Sequence, residues 1–242
     1  MKVFVVYGSD SDAHSYNPLI ESLKENHEVS FEVISAHRKP DELFARLKKD
    51  DFDVVIAGAG IAAALPGVCA SKTKKPVFGV PVAAHFGGLD ALASILQMPF
   101  QVPVLTCGAK REDEIIKFLK FSDWNKEASR EINIVVRADV KDTPWAQKEI
   151  SRTEKFAKDL GLKIEVTSNT NPKKMNVVLV DREEDIRAEE FCIHVPLLND
   201  EDKANPAKFL KVYDWTQKGG LWVCTNNTRN AVISFQKIFN IA

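Results

Sequence analysis

The sequence predicts an α/β fold: a doubly wound parallel sheet of the flavodoxin-like, three-layer kind, followed by a degenerate second α/β domain of the same kind. Three observations lead there. Short β-rich runs alternate with helical patterns through the first half. Most of those runs carry consecutive apolar residues instead of a strict alternation with polar ones, as expected of strands covered on both faces. The second half then repeats the succession in the same order.

Taken in order, the first-half strands are expected at "KVFVVY" (2–7), "SFEVIS" (30–35), "DVVIAG" (53–58), "PVFGVP" (76–81) and "VPVLTC" (102–107). Between them lie "PLIESLKENH", "PDELFARLKK", an Ala-rich 61–71 segment and "GLDALASILQ", with "EDEIIKFLKF" closing the set. Pro40 followed by Asp41 and Glu42 makes a good helix start, since proline suits the first turn and acids there favour the positive end of the dipole. The stretch 54–70 carries no charge, yet it falls short of the roughly 20 residues a membrane span needs. Its three glycines and one proline fit a buried strand and a tightly packed helix better.

In the second half, "EINIVVRADVKD" (131–142) parallels "MKVFVVYGSDSD" (1–12), "IEVTS" (164–168) parallels "FEVIS" (31–35), and "NVVLV" (176–180) parallels "DVVIA" (53–57). "CIHVPLL" (192–198) matches "VFGVPVA" (77–83), and "GLWVCTNNTRNAVISFQKIF" (220–239) matches "VPVLTCGAKREDEIIKFLKF" (102–121). Only seven residues separate Ser168 from Asn176, whereas a parallel crossover wants roughly a dozen. Either the helix after the second strand is lost or the pairing fails there. The division is expected to be 1–123 and 131–242, with the seam in the polar stretch 122–131.

A net charge of -1, from 33 basic and 34 acidic residues, leaves no electrostatic footprint for nucleic acid or an anionic membrane. The four cysteines, at 69, 107, 192 and 224, lack CxxC pairing and histidines at metal-ligand spacing, and so read as buried thiols of a reducing compartment. The N-terminal "MKVFVVYG" is too short in its apolar part for a signal peptide, and a cytoplasmic location is expected.

Open parallel sheets bind ligands at the carboxyl ends of their strands, and three strand-end loops have unusual contents: "GSDSD" (8–12), "SAHRKP" (35–40) and "GAGIAAALPG" (58–67). The first suits a phosphate cradle of backbone N–H groups with hydroxyls from Ser9 and Ser11, while Asp12 suits sugar hydroxyls. It is equally good material for a capped turn. In the second, Arg38 offers a bidentate fork to phosphate and His37 a proton carrier. The alternative there is a helix-capping histidine and an arginine paired with Asp41 or Glu42. "GAGIAA" matches the dinucleotide fingerprint GxGxxA, but it follows the third strand and lacks an acid about 20 residues on. His85 ends the fourth strand and reads as a loop residue; His14 and His27 read as surface helix residues, and His194 belongs to a strand of the copy.

Together, "GSDSD", "SAHRKP", "AGAGIAAALPG", "KPVFGVPV" and "GLDALASILQMPFQVPV" resemble, in order and spacing, the PurE-type family of purine biosynthesis over residues 1–108. The AGAG-type third loop resembles the branch that converts N5-carboxyaminoimidazole ribonucleotide to 4-carboxy-5-aminoimidazole ribonucleotide, rather than the branch that carboxylates aminoimidazole ribonucleotide directly with CO2. The resemblance implies that Ser9, Ser11 and Arg38 bind phosphate, that Asp12 holds the ribose, and that His37 is the acid/base group. It further implies that Ser35, Ala36, Gly58, Ala59, Gly60 and Leu65 contact the nucleotide or enclose its carboxylate as CO2. No metal or cofactor is implied. Two departures stand out: Ala64 occupies a position where that branch commonly has histidine, and "NTRNAVISFQKIF" fits the family's C-terminal segment better, through Asn230 and Ala231, than "CGAKREDEIIKF" does. The copy lacks groups for phosphate or proton transfer, so no active site is expected there. Family members assemble as octamers, which implies a homo-oligomer here, a tetramer of two-domain chains.

Overall fold

The computed structural model of the chain describes residues 1–120 and 131–239. The first half runs β1 (Lys2–Tyr7), α1 (Ala13–Lys24), β2 (Glu28–Val33), α2 (Pro40–Leu47), β3 (Val54–Ala59), α3 (Leu65–Lys72), β4 (Val77–Pro81), α4 (Leu89–Leu96), β5 (Leu105–Thr106) and α5 (Asp113–Lys120). The second runs β6 (Glu131–Val135), α6 (Ala138–Lys141), α7 (Pro144–Asp159), β7 (Lys163–Thr167), β8 (Met175–Val180), β9 (Cys192–Pro196), α8 (Asp200–Ala204), α9 (Lys208–Thr216), β10 (Leu221–Trp222) and α10 (Thr228–Phe239). The expected seam, 122–131, lies outside the described residues apart from Glu131. His27 sits in the turn before β2 rather than in a helix, half-buried, and burial pushes its imidazole below the ordinary range.

Among the described residues ten strands form one sheet, in the order β2-β1-β3-β4-β5-β10-β9-β8-β6-β7. Every neighbouring pair is parallel except β5 with β10, where Thr106 opposes Trp222. Both halves therefore carry one strand order, with the first strand between the second and third. Leu105 pairs with Phe78 as Leu221 pairs with Ile193, so Thr106 and Trp222 are counterparts that pair with each other. That is the signature of a local two-fold normal to the sheet, and it points the carboxyl edges of the two halves in opposite directions.

Side-chain facing corrects the sequence pairing of the first strands by one residue. Val3, Val5 and Tyr7 share a core cluster with Ile132, Ile134 and Val136, so Gly8 corresponds to Arg137 rather than to Ala138. A slip of one position moves every side chain to the other face, which makes facing a stricter guide than residue similarity. That cluster runs under both halves, joining Ile56 and Phe78 to Val177 and Ile193. The opposite face divides into a cluster around Phe4, Leu43, Leu47 and Val55, and another in which Leu92 and Leu96 of α4 meet Trp215 and Trp222.

Between β7 and β8, residues 168–174 cross over β6 with no helix. The face that α2 covers in the first half is closed by polar residues instead. Asn133 and Asn176 stand at the counterparts of Phe4 and Val55 and are fully buried. Asn133 Nδ2 donates to the Asn169 carbonyl at 2.9 Å and to Asn176 Oδ1 at 3.0 Å. Asn176 Oδ1 accepts from the Asn171 N–H at 2.8 Å, while its Nδ2 donates to the carbonyls of Asn171, Lys174 and Phe191. Two amide side chains thus satisfy the backbone of a short strap that has no helix to satisfy it.

Candidate functional site

The registers of β1, β2 and β3 end level, Tyr7 opposite both Val33 and Gly58, so the loops after these three strands leave the sheet at one edge. They enclose, with the end of β4, a cavity of about 370 Å³. Of the residues singled out from sequence, Ser9, Ser11, Asp12, Ser35, Ala36, His37, Arg38, Ala59, Gly60 and Leu65 line it. Gly58 does not. A Cβ there would fall 2.2 Å from the Tyr7 ring, so packing onto β1 accounts for that glycine. Gly8, Ile61, Ala62, Ala64 and Ala84 complete the lining. Four of these five belong to the loops already marked by their composition; Ala84 follows a fourth strand whose end carried no signal beyond His85.

Each loop is shaped by local hydrogen bonds. Ser9 Oγ accepts from the Ser11 N–H at 3.3 Å, capping the 3₁₀ turn Asp10–Asp12. The Ser9 and Ser11 hydroxyls lie 2.8 Å apart, and Ser11 Oγ donates to Asp12 Oδ1 at 3.1 Å. Asp12 is buried, and desolvation raises its carboxyl above the usual range, opposed by the Ser11 hydrogen bond and the charge of His14. In the second loop the Lys39 N–H donates to the Ser35 carbonyl at 2.9 Å and the Arg38 N–H to Ser35 Oγ at 3.3 Å, which turns the chain before Pro40 opens α2. Arg38 Nη2 donates to the Gly8 carbonyl at 3.3 Å, tying the two loops together. Among the described residues Arg38 makes no ion pair; it is Lys39 that reaches Glu42, at 3.0 Å. Neither nitrogen of the exposed His37 ring has a hydrogen-bond partner among them.

Next to Gly8 in the chain, the Tyr7 hydroxyl lies 3.1 Å from Ser15 Oγ, which donates to Glu112 Oε1 at 2.6 Å. Burial drives the Tyr7 phenol far above its ordinary value, so the phenol stays neutral. The cavity therefore offers an unpaired guanidinium, two hydroxyls, one buried carboxylate and one solvent-accessible imidazole. Such a set can fix an anion, accept hydrogen bonds from hydroxyl groups and carry a proton.

The position matching Gly8 in the second half is filled by an ion-pair cluster. Arg137, the counterpart of Gly8, bonds Asp185 at 3.0 Å, Asp139 at 2.6 Å and Asp181 at 3.4 Å, and Arg182 reaches Asp139 at 2.8 Å. These carboxylates hold the Arg137 guanidinium above even its ordinary high pKa.

The family model described as AIR carboxylase matches residues 2–114. The N5-carboxyaminoimidazole ribonucleotide mutase of Methanocaldococcus jannaschii is 46% identical over 110 residues, spanning 45% of this chain and 70% of that protein. The mutase of Saccharolobus solfataricus is 39% identical over 145 residues, 54% of this chain and 92% of that protein. The mutase of Escherichia coli K12 is 46% identical over 112 residues, 43% of this chain and 65% of that one. Among solved structures, PurE of Treponema denticola shares 22% identity at a TM-score of 0.46, covering 65% of this chain and 95% of that chain. On its first-half sequence, the chain belongs to the AIR carboxylase family.

Proposed function

We propose that the chain is a purine-biosynthesis isomerase that converts N5-carboxyaminoimidazole ribonucleotide to 4-carboxy-5-aminoimidazole ribonucleotide. One observation carries the reading: an unpaired Arg38, the Ser9–Ser11–Asp12 loop and His37 share one cavity at the strand-end edge. Relatives at 46% identity that bear the mutase name support it.

In this reading Arg38 and the two serine hydroxyls hold the phosphate, and Asp12 accepts from the ribose hydroxyls. The N5 carbamate breaks to CO2, with N5 taking a proton. C4 of the ring attacks that CO2 carbon, and the C4 proton then leaves. His37 supplies the first proton and takes the second, so the net charge of the reacting pair is unchanged. The wall formed by Ala59, Ala62, Ala64 and Leu65 confines the CO2, which raises its effective concentration and keeps water away. Ala64 makes that wall less polar than a histidine would.

A second reading is direct carboxylation of aminoimidazole ribonucleotide by CO2, favoured by the family description and by Ala64. The second half, by resemblance, stands in for a neighbouring subunit, giving a cytoplasmic tetramer. One experiment separates these. Substrate labelled at the carbamate is turned over in unlabelled CO2 by protein taken from a sizing column. Label retained in the ring carboxylate, by material eluting at four chains, is the expected outcome. Complete exchange would favour the carboxylase, and full activity in a one-chain peak would remove the assembly.

A further inference from the structure

The cavity has a charged side and an apolar side, and one residue of the apolar side is largely exposed. Ile61 is 65% exposed although it lines the cavity. The backbone holds it there: Ala62 adopts a left-handed conformation, φ 49°, and the Ala64 N–H donates to the Ala62 carbonyl at 2.7 Å. A side chain at positive φ is uncommon and strained. The other residues of this wall are small or, like Leu65, already buried, so Ile61 alone has a large apolar surface left to cover.

We infer that Ile61 is a binding residue for the heterocyclic ring of the ligand and that it sets the preference for a flat, weakly polar base. The inference rests on the functional reading above and deepens it. Arg38, the serines and Asp12 engage the phosphate and the sugar, and the part of a ribonucleotide left for the apolar side is its ring. Covering a branched aliphatic side chain with a ring face strengthens binding by roughly tenfold. A ligand with the sugar phosphate and no ring gains nothing from Ile61.

The test compares calorimetric binding of 5-aminoimidazole ribonucleotide and of ribose 5-phosphate to the wild type, Ile61→Ser and Ile61→Leu. In Ile61→Ser the nucleotide is expected to bind roughly tenfold more weakly with ribose 5-phosphate unchanged, and Ile61→Leu to stay within about twofold for both. Equal weakening of both probes would show that Ile61 only shapes its loop, and unchanged nucleotide binding that the ring lies elsewhere; either overturns the inference and leaves the functional reading standing. Failure of the wild type to bind either probe overturns the functional reading and the inference with it.

Discussion

His194 shows what burial imposes on a single residue. Its ring stacks on Trp222 with centroids 4.6 Å apart, and Gly220 beside it has φ 75°, where a Cβ would sit 2.5 Å from the ring. Nε2 accepts from the Arg187 N–H at 3.0 Å, so the proton belongs on Nδ1, facing the Leu221 carbonyl at 3.2 Å. Desolvation lowers its pKa from 6.5 to about 4; the Leu221 carbonyl opposes this and the Arg187 charge adds to it. The unfolded chain thus binds the proton more readily, and the stability due to the neutral ring is complete above pH 6.5 and lost as pH falls towards 4. Between pH 7 and pH 5 urea unfolding should show a loss of about 2 kcal/mol that His194→Gln lacks. An equal pH dependence in the variant would refute this. His37 and Arg38 stand out in sequence because they follow an apolar run at a strand end, and both line the cavity at that edge. At Gly58 the sequence alone does not separate a glycine demanded by an aromatic neighbour, here Tyr7, from one demanded by a ligand.

Among the elements, the strap between β7 and β8 is the most unusual. A parallel crossover of seven residues, 168–174, forms only because Asn133 and Asn176 meet its backbone groups from inside the sheet. Asn176→Val would restore the apolar residue found at the counterpart Val55, yet it would orphan buried carbonyls and N–H groups. A loss of about 2–4 kcal/mol in urea unfolding is expected, and an unchanged midpoint would show that the strap needs no such support. The sequence spacing announced the missing helix, but buried asparagines do not advertise their partners, which lie in a loop of no fixed pattern. The fifth strand was expected over 102–107 and is only Leu105–Thr106. Pro103 cannot donate to a ladder, and β5 also has to meet an antiparallel neighbour.

At the scale of the molecule, a local two-fold at Thr106 and Trp222 relates the halves and sends their carboxyl edges apart, one with an unpaired Arg38 in its cavity, the other with Arg137 tied to carboxylates at the position matching Gly8. The repeated strand order was legible because apolar runs survive substitution. The antiparallel seam was not, since strands of two residues carry no direction in their composition. The central claim is that the first-half edge holds a ribonucleotide with its ring against a working imidazole. Turnover and nucleotide binding of His37→Asn, measured side by side, test it most directly. Turnover should fall by at least ~10²-fold with affinity kept within about threefold, whereas a near wild-type rate would contradict it.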